Sequence, residues 1–183
     1  MNEKPRSPNP RSKLDQQRQV TTQVGAGQQK QTTTQANTEQ QISIRDEIIK
    51  TINGLEPGLQ AYQVRTLVEQ AQKFGKHLHE HKLKTNHLRR FLDAVKQLKA
   101  RLGRGDKFSE VDSDIAFLQP QLAYAAARKK SEMRRDEKVN PAKDFSDVIT
   151  TAIDKKVRSP EDFYRLVQLI EAIIAYHKEA GGE

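Results

Sequence analysis

The 183-residue sequence predicts an all-α fold, a compact bundle of five or six helices over residues 42–183 preceded by a disordered tail at residues 1–41. Three observations carry this reading. From Ile42 onward apolar side chains recur at spacings of three and four, the period of one buried helix face. Nowhere do β-branched and polar residues alternate for more than a few positions, as they would along a half-buried strand. Glycine and proline fall between the periodic runs, where helices stop and start.

From Met1 to Gln41 the chain is rich in Gln, Thr, Ser and Pro, and its large apolar side chains are Met1, Leu14, Val20 and Val24. So little burial cannot offset the entropy of ordering the segment. Its six basic and three acidic side chains give +3, which leaves +5 of the total +8 on residues 42–183. The tail's charges are spread out, so it reads as a basic, solvated linker.

Ser43 caps a first helix that runs to about Asn53, ended by Gly54 and the breaker Glu56-Pro57-Gly58. A second carries Tyr62, Leu67, Val68 and Ala71 towards Leu78. Thr85 stands at an N-cap position for a third, whose stripe is Leu88, Phe91, Leu92, Val95, Leu98 and Leu102 and whose stop is Gly103 with Gly105. Ser109 is placed to cap a fourth, built on Ile115, Leu118, Leu122 and Ala126, which bends or restarts around Pro120. Asn140-Pro141 opens a fifth. Ser159-Pro160-Glu161-Asp162 opens the last, with acidic groups at its positive end and Gly181-Gly182 beyond it. Phe163, Leu166, Val167, Ile170, Ile173, Ile174 and Tyr176 spread beyond the ~100° arc that one core needs. Ile173, Ile174 and Tyr176 are therefore expected to meet another chain.

Several classes of chemistry find no support. With no cysteine there is no disulfide, thiolate zinc site or thiol nucleophile. The richest apolar run, Phe163 to Tyr176, is broken by Arg165, Gln168 and Glu171 and falls short of the ~18 residues of a membrane span, so a soluble, cytoplasmic protein is expected. His77-Leu78-His79-Glu80-His81 is the one dense group of potential ligands, and His77 and His81 share a helix face. That is half a metal site, because His87 and His177 belong to other helices and no second HxxxH pair exists. The acidic pairs Asp112 and Asp114, Asp144 and Asp147, and Glu161 and Asp162 fall in first turns, where carboxylates stabilise exposed backbone N–H groups. There is no GxSxG elbow, and Gly103-Arg104-Gly105 lacks the third glycine and preceding strand of a dinucleotide loop. The reading contains no catalytic residue, metal or cofactor.

Charge remains, and it is uneven. Between Lys82 and Arg104 stand Lys82, Lys84, Arg89, Arg90, Lys96, Lys99, Arg101 and Arg104 against the single acid Asp93, eight to one, or +7. A second group, Arg128, Lys129, Lys130, Arg134 and Arg135, follows the next long helix. A charge run is ordinarily a solvated face. Here acids do not interleave at i, i+4, and the face opposite the apolar stripe is basic throughout, which is the footprint of a phosphate-backbone binder. Aromatic residues make up 5% of the chain and sit mostly in apolar stripes, so backbone and shape recognition is favoured over base stacking. Tyr124 and Tyr176 are read as packing residues.

Three segments in order resemble one family. They are Lys84-Thr85-Asn86-His87-Leu88-Arg89-Arg90-Phe91-Leu92, then Leu118-Gln119-Pro120-Gln121-Leu122-Ala123-Tyr124-Ala125-Ala126-Ala127-Arg128, and Glu171-Ala172-Ile173-Ile174-Ala175-Tyr176-His177-Lys178 with Gly181-Gly182. Together they are similar to the small subunit of the type III-A CRISPR effector, the Csm complex, over about Leu83 to Gly182. The resemblance implies a helical, non-nucleolytic subunit, present in more than one copy beside the other subunits, lining the groove that holds guide RNA and its complementary target RNA. Sequence specificity would then lie in guide–target pairing while the protein reads backbone shape and charge. Arg89, Arg90, Arg128, His177 and Lys178 are the foremost expected RNA contacts, with Lys82, Lys84, Lys96, Arg101, Arg104, Lys129 and Arg134 beside them. The alternatives are the small subunit of a type III-B complex or another helical RNA-binding module, a metal-dependent hydrolase at His77, His79, Glu80 and His81, and a scaffold that binds only proteins.

Overall fold

A computed structural model describes residues 42–182, and the expected tail lies outside the described residues. The described chain is all-α: α1 (Ile44–Asn53), a single 3-10 turn (Leu59–Ala61), α2 (Val64–Glu80), α3 (Thr85–Gly103), α4 (Phe108–Ala116), α5 (Leu118–Glu132), α6 (Pro141–Lys156) and α7 (Pro160–Glu179). The choice between bend and restart near Pro120 resolves as a break at Phe117, which closes α4 and opens α5. Pro120 thereby falls in the first turn of α5, where a missing backbone donor costs nothing.

α7 is the centre of the bundle. Phe163, Leu166, Val167, Leu169, Ile170 and Ile173 are fully buried along it, and α2, α3, α6 and the 3-10 turn all pack against it. This corrects the expectation for Ile173. The wide apolar arc of α7 is covered by the chain's own helices, as for any helix that is apolar nearly all round and runs through a core. Ile174 and Tyr176 are partly exposed at its edge. α6 packs against both α1 and α5, and α4 bridges α3, α5 and α6.

α2 and α7 approach closely at Gly75. A Cβ there would lie 2.7 Å from the backbone N of His177 and 2.8 Å from the carbonyl oxygen of Ile173. No side chain fits between the two backbones. A second close contact holds the 3-10 turn against the start of α7. Asp162 is buried, its carboxylate accepts from the backbone N–H groups of Gln60 (2.9 Å) and Arg158 (3.1 Å), and a Cβ at Gly58 would lie 2.4 Å from it.

Caps fall as the sequence predicts at Ser43, Asn140 and Ser159. Two do not. Lys84, not Thr85, is the N-cap of α3, and Thr85 is its first residue with a buried Oγ1 that has no partner among the described residues. Lys107, not Ser109, precedes α4, and its backbone N–H is accepted by the Glu110 carboxylate at 3.2 Å. A polar network joins α1 to α2: the buried Tyr62 hydroxyl donates to Gln70 Oε1, and Gln70 Nε2 donates to Glu47 and to Thr51, each at 3.0 Å. Burial, and then the charge of Glu47, pushes the Tyr62 hydroxyl well above its usual pKa, so it stays a donor.

Two glycines should respond oppositely to alanine. Gly75→Ala gains helix propensity but forces two backbones apart, so a net loss of about 1–3 kcal/mol is expected by urea unfolding. Gly103 ends α3 with nothing within 4 Å of a Cβ, and Gly103→Ala should be neutral or stabilise by up to about 1 kcal/mol.

Candidate nucleic-acid interface

The interface begins at the turn between α2 and α3. Lys82 has φ 60°, its N–H donates to His79 O at 2.8 Å, and the N–H of Leu83 donates to Leu78 O at 2.9 Å, the two bonds of a Schellman stop. Leu83 is buried against the core, which turns the chain sharply into α3. His177 locks this turn from α7: its Nε2–H donates to Leu83 O at 2.9 Å.

That placement corrects another expectation. His177 is 0% exposed and covered by Gly182, so it supports the turn and does not face a ligand. Burial, the largest cause, lowers its pKa, and the nearby His79 and Lys178 act in the same direction. Lys129 is likewise corrected. It is only 9% exposed, and the basic end of α5 presents Arg128 and Lys130 instead.

Along α3 the burial of Leu88, Phe91, Val95, Leu98 and Leu102 turns the basic residues outward. The two edges of the helix are neutralised by neighbours. Lys99 meets Glu171 of α7 at 3.8 Å, and Arg101 is held by Asp106 (2.9 Å) and Asp114 (2.5 Å), whose hydrogen bonds raise its pKa further. Arg101 is thus committed inside the chain. Lys84, Arg89, Arg90, Lys96 and Arg104 are exposed and form no ion pair with any described residue. Lys82, Arg134 and Lys178 are exposed too, Lys82 in the turn before α3, Arg134 beyond the end of α5, and Lys178 at the end of α7.

Two adjoining cavities mark the place where α3 meets α5. One, of about 450 Å³, is lined by Lys84, Asn86, Arg89, Arg90, Asp93 and Arg128. The other, of about 400 Å³, is apolar, with Leu83, Leu88, Phe91, Leu122, Ala142 and Phe145 among its lining residues and Arg90, Gln121, Tyr124 and Arg128 beside them. Arg90 and Arg128 line both. Arg128 also meets Glu132 at 3.2 Å. Tyr124 is 71% exposed, which corrects its reading as a packing residue. The spacing held the signal, since Tyr124 is two residues, or about 200°, from the buried Leu122.

The histidine cluster is engaged in the fold. His77 Nε2–H donates to Asp144 of α6 at 2.8 Å, His81 Nδ1–H donates to His77 O at 2.8 Å, the His79 ring stands edge-on to His177, and Glu80 lies 3.9 Å from Lys76. Among the described residues no three or more His, Asp or Glu side chains are grouped to hold a metal ion. Asp144 lies in the first turn of α6 as expected, and Asp144 and Asp147 also tie α6 to α1 through Arg45, at 3.9 and 2.8 Å.

The family described as Csm2 Type III-A matches residues 61–183. The chain belongs to this family. The match reaches further toward the N-terminus than the three motifs do, taking in the whole of α2 and its Gly75 contact with α7. No curated protein and no solved structure matches the chain significantly. As a Csm2 protein it is a small subunit of a type III-A CRISPR effector, the Csm complex. No helix among the described residues of this Csm2 protein is long and apolar enough to cross a membrane.

The buried imidazole of His177 gives the turn a pH dependence. The folded state holds the ring neutral, so the unfolded chain binds the proton more readily; this contribution to stability is complete above about pH 6.5 and is lost as the pH falls below it. Urea unfolding at pH 7.5 and pH 5.5 should show lower stability in acid. His177→Gln, which keeps a donor for Leu83 O, should show a smaller difference between the two.

Proposed function

We propose that this subunit is non-catalytic and binds the RNA of the effector complex by its phosphate backbone, through Lys84, Arg89, Arg90, Lys96 and Arg104 of α3 and its flanks together with Arg128 of α5. The observation that carries this reading is the row of exposed cations on α3 without acidic partners among the described residues, beside two edges of the same helix that are neutralised. A surface kept basic only for solubility gives no reason for that division. Phosphates supply the missing counter-charge, and an irregular row of Lys and Arg reads charge and spacing, not base identity. The guide RNA paired with its target is the natural occupant, with specificity left to the pairing. The protein works in the cytoplasm, beside other subunits and further copies of itself. Ile174 and Tyr176, at the edge of α7, are the residues proposed to meet another chain.

Affinity for RNA should fall steeply with salt and vary little with sequence. Each neutralised phosphate contributes about −0.7 to −0.9 to the slope of log K against log salt, so four contacts give roughly −3. Arg89→Glu with Arg90→Glu should weaken binding and flatten that slope while leaving the circular dichroism melt unchanged, because both side chains are exposed. Binding insensitive to salt would overturn the reading.

A separate assay addresses assembly. Ile174→Ala and Tyr176→Ala should reduce incorporation into the reconstituted complex with little change in melting. Ile173→Ala, at a fully buried position, should destabilise the subunit by about 2–5 kcal/mol.

A further inference from the structure

Backbone binding explains the charged cavity but leaves its apolar neighbour unused. The apolar cavity of about 400 Å³ lies within the range of pockets that enclose small molecules. Its walls include Leu83, Phe91 and Phe145, and Phe91 and Phe145 meet edge-to-face with centroids 5.7 Å apart, so the lining is a firm part of the core. Tyr124 lines it yet is 71% exposed, an aromatic side chain left largely uncovered at the rim.

The charge around the cavity says what would cover it. Arg90 and Arg128 belong to the walls of both cavities, so an occupant of the apolar one touches the same two guanidinium groups that line the cationic one. Such an occupant is flat and weakly polar at one end and anionic at the other. A nucleotide has that shape: the base has an apolar face able to stack on tyrosine or on a guanidinium plane, and the phosphate meets the arginines. Gln121, also in the wall, offers an amide to the base edge without fixing its identity. A lone aliphatic side chain of a protein would use the floor and leave Arg90 without a counter-charge, since of the two arginines Arg128 alone is paired, with Glu132.

We infer that the cavity beside Tyr124 receives one unstacked nucleobase of the bound RNA, with the adjoining phosphate between Arg90 and Arg128. The inference rests on the RNA-binding reading above and adds a base-contacting site to it. It makes binding depend on the presence of bases, though not on their order, and it assigns Tyr124 the stacking role.

The test compares an oligoribonucleotide with an abasic ribose-phosphate chain of equal length and charge, using the full-length chain. The native protein should bind the base-bearing strand about 5- to 100-fold more tightly, the range given by one base–aromatic contact. Tyr124→Ala should abolish most of that preference while leaving the affinity for the abasic chain and its salt slope unchanged, and Tyr124→Phe should retain it. Equal, salt-dependent binding of both strands by the native protein would overturn the base pocket and leave the backbone reading standing. Binding of neither would overturn both. If Tyr124→Ala keeps the base preference but lowers incorporation into the effector complex, the cavity is a protein contact and the inference is wrong.

Discussion

The approach of α2 to α7 at Gly75 is the constraint on which the rest of the molecule depends. Because the backbones meet there without an intervening side chain, α7 sits deep enough to bury six large apolar residues along its length. Burial on that scale is the main stabilising term available to a chain without disulfides. The same crossing brings His177 under the turn that starts α3, where its ring holds the carbonyl of Leu83. Core packing and the direction of the basic helix are therefore set by one contact.

Ion pairing then decides which cations remain available. The acids are not spread evenly: Asp144 and Asp147 are spent on Arg45 and His77, Asp106 and Asp114 on Arg101, and Glu171 on Lys99. Most of these pairs are partly exposed and contribute little to stability singly. Their larger effect is on the field outside the protein, since they cancel charge at the two edges of α3 and leave the row from Lys84 to Arg104 between them uncancelled. Within this pattern Arg90 and Arg128 join a cationic groove to an apolar one, and the surface there has two chemical characters side by side.

Much of this was legible in the residues. The helical class, the caps at Ser43, Asn140 and Ser159, the stripe from Leu88 to Leu102 and the basic face opposite it all follow from spacing, because a helix's period is local. Csm2 membership was legible as well, in the motif order that the family match extends to residue 61. Thr85 and Ser109 misled because a capping residue type announces a helix start only to within a residue or two, and tertiary packing picks the register. Ile173 misled because the width of an apolar arc reports how much of a helix is covered, not by which chain.

The sequence by itself determined the elements and their amphipathic faces, and with them the sign and the general place of the charge. Only the tertiary structure decided that His177 and Lys129 are buried, that Arg101 is committed to two aspartates and that Gly75 is a crossing point. The physical reason is range. Periodicity and capping act over a few residues, whereas these outcomes depend on other elements of the fold, as with His177 and Leu83, 94 residues apart, and the sequence carries no local mark of which elements will meet.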